Sequence, residues 1–146
     1  MLTQTAKYAI KALLHLARQA NNGYCQTREI AELANIPANY LGKIMQKLAH
    51  AQILDSQKGL HGGFRLGRSA DAISMFDILI AIEAIPRDLA DRTGEDDPEG
   101  LPSGVYARIA EMTRQYIQVL RQTTLAELLA SSQTAPAEPM AAVLAV

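Results

Sequence analysis

The sequence predicts a mainly α-helical fold with one small β-hairpin: a winged helix-turn-helix followed by a long helix suited to dimerisation. Three observations carry this reading. Two short amphipathic segments, "REIAELAN" and "ANYLGKIMQKLAHA", are joined through the helix-breaking "NIP". Two strand-like pieces, "ILDSQ" and "GFRLG", follow at once around a glycine-rich tip. Further on, "SGVYARIAEMTRQYIQVLRQ" carries apolar residues at spacings of three and four.

The elements follow in order. Thr3 or Thr5 can cap a first helix in which Ile10, Leu13, Leu14 and Ala17 form an apolar stripe, ended by "NNGYC" with Gly23 free to take positive φ. Thr27 precedes a short helix with Ile30, Leu33 and Ala34 on one face, and a turn of about four residues leads to a second helix. Its apolar positions are Tyr40, Leu41, Ile44, Met45 and Leu48, and it also carries Lys43 and Lys47. The hairpin tip, "KGLHGG", sets Lys58 and His61 beside Gly59 and Gly62, which allow close approach of backbone to a phosphate. A plain structural hairpin would use the same glycines; the order of elements and the basic residues favour a nucleic-acid wing.

In "SMFDILIAIEAI", Ser74 and Asp77 have capping-box spacing, and Met75, Ile78, Leu79 and Ile82 form the buried face. Pro86 stops that helix. The long stripe of Tyr106, Ile109, Met112, Tyr116, Val119 and Leu120 suits a dimerisation helix, with packing inside the monomer as the alternative. Thr124 and Glu127 make a second capping box. The domain boundaries expected are 1–85 for the winged unit, 86–102 for an acidic loop, 103–130 for the long helix and a closing short helix, and 131–146 for a loose tail.

Charge is divided along the chain. Residues 1–68 hold nine Lys/Arg against three Asp/Glu, and residues 69–146 hold five against twelve, so a net charge of −1 conceals a basic front half. Such a distribution fits a polyanion-binding face. Lys7, Lys11, His15 and Arg18 break the first apolar stretch well below the roughly 18 residues that span a bilayer. One cysteine, Cys25, cannot form an internal disulfide, and no secretory signal is visible; a cytoplasmic protein without membrane contact is expected. The sequence shows no nucleophile–base pair, metal-spaced cluster or phosphate loop, which argues against an enzyme. His15 and His50 read as structural or solvated.

The stretches "AKYAIKALLHLA", "REIAELANIPANYLGKIMQKLAHAQIL" and "KGLHGGFRLGRSADAISMFDILIAIE" together resemble the Rrf-two family of winged-helix transcriptional regulators. The similarity covers residues 1–85 and resumes over 103–130, where "TTLAELL" resembles the family's closing helix. The resemblance implies a homodimer, two winged helices binding a palindromic operator in double-stranded DNA, and action as a repressor. By position it implies DNA contacts from Asn39, Tyr40, Lys43 and Lys47 on the recognition helix and from Thr27 and Arg28 at the start of the preceding helix. The wing would contribute Lys58, Gly59, His61, Gly62 and Arg65. Asn and Lys can read base edges, and a helix start offers free N–H groups to phosphate.

Two departures stand out. Gly42 lies on the recognition helix where relatives often carry a longer polar side chain, and a glycine inside a helix costs about 1 kcal/mol against Ala. In "DRTGEDDPEGLPS", the positions at which cluster-binding relatives carry three cysteines correspond to Asp91, Asp97 and Ser103, with Tyr106 at an occasional histidine position. Iron–sulfur clusters need soft thiolates, so no cofactor is expected. A calcium loop is a poor fit, because the EF-hand glycine position holds Asp96. Two alternatives remain: a thiol-responsive regulator switching through Cys25, and a winged-helix protein-interaction module without operator binding. An unidentified small-molecule effector would be compatible with either regulator.

Overall fold

The structure is a computed structural model, and it describes residues 2–19, 21–90 and 100–134. Its element order is helical with one hairpin, a mostly helical winged-helix architecture. Helix α1 (Gln4–Arg18) starts at Thr3, whose side chain accepts the Ala6 N–H at 3.1 Å. It touches α2 (Thr27–Ala34), α3 (Ala38–His50), α4 (Met75–Ala81), the wing and the last helix, so it is the central post of the fold. Its buried residues are Ala6, Ala9, Ala12, Leu13 and Leu16. The expected stripe is therefore rotated: Ile10, Leu14 and Ala17 are only half-buried. Small alanines let neighbouring helices approach closely, and a count of large side chains does not register them. The positive φ at the end of this segment falls on Asn22 and not on Gly23.

The helix-turn-helix is built by local capping. Asn35 adopts the left-handed conformation and its N–H returns to Ala31 and Glu32, while the Ile36 N–H bonds the Ala31 carbonyl at 2.9 Å. Ile36 is buried beneath that turn, and Pro37 launches α3. On α2 the buried residues are Ile30 and Ala31; Leu33, expected on the inner face, is 65% exposed. Helix α3 buries Leu41, Ile44, Met45 and Leu48 as the spacing predicts, with Tyr40 at the border of that face. Its C-terminus turns through Gln52 (φ 60°), and the Ile53 N–H reaches back to Leu48 at 3.0 Å, placing Ile53 in the core.

The wing pairs β1 (Leu54–Gln57) with β2 (Gly63–Leu66), antiparallel, with Asp55 opposite Arg65 and Ser56 opposite Phe64. A third short piece completes it. Cys25 bridges Phe64, with N–H to carbonyl distances of 2.9 and 2.8 Å in the two directions. Gly63 is required here, because its φ is 140° and a Cβ would overlap the Cys25 carbonyl.

Helix α4 begins at the expected capping box: Asp77 N–H to Ser74 and Ser74 N–H to Asp77, both 3.1 Å. The second box, Thr124 with Glu127, opens the last helix, α6 (Leu125–Thr134). The two N-caps are themselves paired. Met75 donates to the Thr123 carbonyl and Leu125 to the Ile73 carbonyl, each at 2.8 Å, which fastens the end of α5 (Ser103–Gln122) to the winged unit. Leu125 and Ile73 are fully buried at this junction. Residues 131–134, expected in the tail, continue α6; the remainder of the tail and positions 91–99 of the acidic loop lie outside the described residues.

The stripe on α5 divides into two faces. Ala110, Ile117 and Leu120 turn inward. Leu120, expected at a dimer contact, is instead part of the core, because it lies on the side facing the winged unit. Val105, Ile109, Met112, Tyr116 and Val119 are 47–59% exposed. Those five recur at four and three residues, the spacing of a two-helix seam. Val105 was missed in the sequence, where the half-buried Tyr106 was read in its place.

Candidate nucleic-acid interface

The outer face of α3 follows from its inner one. With Leu41, Ile44, Met45 and Leu48 committed to the core, Asn39, Lys43, Gln46 and Lys47 are directed outward and are all exposed. Lys43 has no ion pair within the described residues. Lys47 does: its ammonium lies 2.6 Å from the Glu83 carboxylate. Glu83 sits in the left-handed conformation (φ 60°) just beyond α4, where the Ala84 N–H returns to Leu79. Lys47 and Arg87 together hold the Glu83 carboxyl below its ordinary range, first through the Lys47 hydrogen bond. Tyr40 is braced against α1, its hydroxyl bonded to Thr5 and its ring edge-on to Tyr8 at 5.7 Å. Gly42 faces open space, so nothing in the chain itself excludes a side chain there.

At the start of α2, Thr27 is half-buried and Arg28 is exposed, with the Arg28 guanidinium paired to Glu32 at 3.2 Å one turn on. The first-turn N–H groups here receive no cap from the Gln26 side chain. Instead Gln26 donates to the Leu60 carbonyl at 3.0 Å and so ties the wing tip to the helix-turn-helix.

The tip itself is a tight turn. Gly59 has φ 105° and its carbonyl accepts the Gly62 N–H at 3.0 Å, while a Cβ on Gly62 would overlap the Gln57 carbonyl. Lys58, Leu60 and His61 project from it, all exposed. Leu60 is 83% exposed and was passed over in the sequence, although it stands between the two polar tip residues. Arg65 lies lower on the wing, stacked over the Tyr24 ring at 4.6 Å and 3.5 Å from Asp55. It is oriented by both and is less free than Lys58.

Cys25 is placed for structure. It is 4% exposed, its thiol donates to the Gln19 side-chain oxygen at 2.9 Å, and burial pushes its pKa up. A protonated, buried thiol is a poor nucleophile. Among the described residues no three His, Cys, Asp or Glu side chains gather as metal ligands, and no helix is long and apolar enough to cross a membrane. Ser103 is exposed at the start of α5; Asp91 and Asp97 lie outside the described residues. The chain's single cysteine is buried in the wing, and hydroxyl and carboxylate oxygens are hard donors, unlike the thiolates that hold iron–sulfur clusters.

Comparison with known proteins agrees with the geometry. The Rrf2 family, described as iron-dependent transcriptional regulator, matches residues 2–131. An HTH-type transcriptional regulator of Synechocystis is 32% identical over 127 residues, covering 87% of this chain and 86% of that protein. The HTH-type transcriptional regulator IscR of Sodalis glossinidius is 26% identical, over 90% of this chain and 80% of its own. Among solved structures, CymR, the global cysteine regulator of B. subtilis, superposes with a TM-score of 0.67 at 25% identity, covering 89% and 96% of the two chains. The fold is also that of T. potens IscR, with a TM-score of 0.72 over 97% and 96% at 22% identity. These relatives are regulators and not enzymes. The chain belongs to the Rrf2 family of helix-turn-helix transcriptional regulators.

Proposed function

We propose that the protein is a homodimeric, sequence-specific DNA-binding repressor that works without an iron–sulfur cluster. The observation that carries this reading is the outward row of Asn39, Lys43 and Gln46 on α3, together with a fixed wing tip bearing Lys58 and His61. Side chains of this kind on a rigid helix read base edges in the major groove, and the cationic tip suits the negative potential of a narrow minor groove. Arg28, Lys47 and Arg65 are each partnered by a carboxylate and contribute through phosphate only when that partner gives way.

Dimerisation is supported by the five exposed apolar residues of α5, Val105 to Val119, aligned at seam spacing. Completing the burial of each such side chain contributes about 1 kcal/mol. Two recognition helices related by a two-fold axis require an inverted-repeat operator. Repression needs nothing more than occupancy of that operator across a promoter. The absence of a cluster rests on the donor chemistry: one buried thiol, where such clusters are held by several thiolates with imidazole an occasional substitute.

Gel shifts with the purified full chain test the reading. Specific, salt-sensitive retardation should weaken in Lys43→Ala and Lys58→Ala. A dimer showing no preference between DNA sequences would leave the interaction-module alternative standing. Absorbance of anaerobically purified protein tests the second half, since bands at roughly 320–420 nm from thiolate-to-iron charge transfer would overturn it.

A further inference from the structure

Between the C-terminal half of α3 and helix α4 lies an open cavity of about 780 Å³. That is within the range of small-molecule sites, roughly 300–1,000 Å³. Its floor is apolar, made by Ile53, Phe76, Ile80 and Ala81. Its walls are cationic: Lys43, Lys47, Arg68 and Arg87, against the carboxylates of Asp77 and Glu83, with His50 beside them. Among the described residues much of this positive charge is poorly neutralised: Lys43 lacks an ion pair there, and Arg68 has a long approach to Asp77 (3.7 Å) and a 3.4 Å bond to the Ala72 carbonyl. The Arg68 Nε is buried with no hydrogen-bond partner among them. Lys47 and Arg87 both act on the single Glu83 carboxylate.

We propose that this cavity binds a small organic acid with an apolar body, and that the bound acid weakens DNA binding. The ligand's carboxylate takes the place of Glu83 between Lys47 and Arg87, and its apolar part covers Ile80 and Phe76. Glu83 is exposed and free to swing into water when displaced. The combination of features favours this ligand over the DNA backbone, because a phosphodiester chain calls for cations but has no use for an apolar floor. Held by Lys47 and Arg87, the ligand's carboxylate keeps Lys47 from phosphate and adds negative charge to the cavity that Lys43 also lines, which is how occupancy reaches the DNA. That regulatory half rests on the DNA-binding reading above; ligand binding itself does not.

The probe is 1-anilinonaphthalene-8-sulfonate, an aromatic body carrying one anionic group, whose fluorescence rises on transfer from water to an apolar site. The full-length dimer should bind it at one site per protomer. Arg87→Gln, on an exposed residue that the DNA-binding reading does not use, should weaken that binding about tenfold, as for loss of one charge-assisted contact. Ile80→Trp, which fills the floor, should abolish it. Saturating probe should also lower operator affinity at fixed ionic strength. Equal probe binding by wild type, Arg87→Gln and Ile80→Trp would overturn the proposal. Operator binding that is indifferent to a probe shown to sit in the cavity would overturn the regulatory half. Cavity binding that follows the variants in a protein with no DNA preference would instead refute the DNA-binding reading and leave the ligand site standing.

Discussion

Replacing Lys58 with alanine removes a cation that has no ion pair within the described residues, at the tip of a wing held by Gln26 and the Cys25–Phe64 bridge. Lys58 is exposed, so the fold should be unaffected. The size of the effect follows from counterion release. Each phosphate neutralised on duplex DNA adds about 0.9 to the slope of log affinity against log salt. A dimer loses two such cations in Lys58→Ala, so the slope should become shallower by about 1.8. Over a fourfold rise in salt, from about 50 to about 200 mM, wild type should lose about ten times more affinity than the variant does. Fluorescence anisotropy of a labelled operator duplex across a salt series measures this directly. Lys43→Ala should give a similar change, whereas Arg28→Ala, whose guanidinium is already paired with Glu32, should give less. An unchanged slope in Lys58→Ala, with circular dichroism intact, would refute the placement of the wing tip on phosphate.

Four other outcomes follow from named contacts. Met112→Asp with Val119→Asp places charge on the exposed α5 seam and should convert the dimer to a folded monomer in sedimentation; an undisturbed dimer would locate the interface elsewhere. Gly63→Ala forces a Cβ into the Cys25 carbonyl at φ 140° and should cost about 2 kcal/mol or more in urea unfolding. Gly42→Ala meets open space and should instead gain up to about 1 kcal/mol, any loss being confined to DNA affinity. The Cys25 thiol is held protonated by burial, so its alkylation near neutral pH should be far slower in the native state than in urea. With the folded pKa raised above the unfolded one, the thiol's share of stability persists below the unfolded pKa and is lost as pH rises through the folded value. Rapid native alkylation would reopen the thiol-switch reading.

Much of this was legible in the residues themselves. Pro37 after Asn35-Ile36, the glycines around Leu60, and the Ser74–Asp77 and Thr124–Glu127 pairs are local signals, and local chemistry decides turns and caps. The faces of α1 and α5 were harder. Helix α1 is surrounded on several sides, so its buried arc runs through Ala6, Ala9 and Ala12, which carry little hydrophobic weight in a sequence pattern. Helix α5 serves two surfaces at once, and a single stripe merged Leu120 of the core with Val119 of the exposed seam. The ion pair between Lys47 and Glu83 joins residues far apart in the chain and depends on the left-handed turn at Glu83. The long-range bridge that makes the backbone of Cys25 the third piece of the wing has no local signature either.

The central claim is that two copies of the α3 face and wing read a defined DNA sequence. Selection from a random duplex pool with the purified full chain tests it most directly. The account predicts enrichment of an inverted repeat whose half-sites lie about one helical turn, or a multiple of it, apart, with enrichment lost in Lys43→Ala. A pool that emerges with no enriched sequence at moderate salt would contradict it.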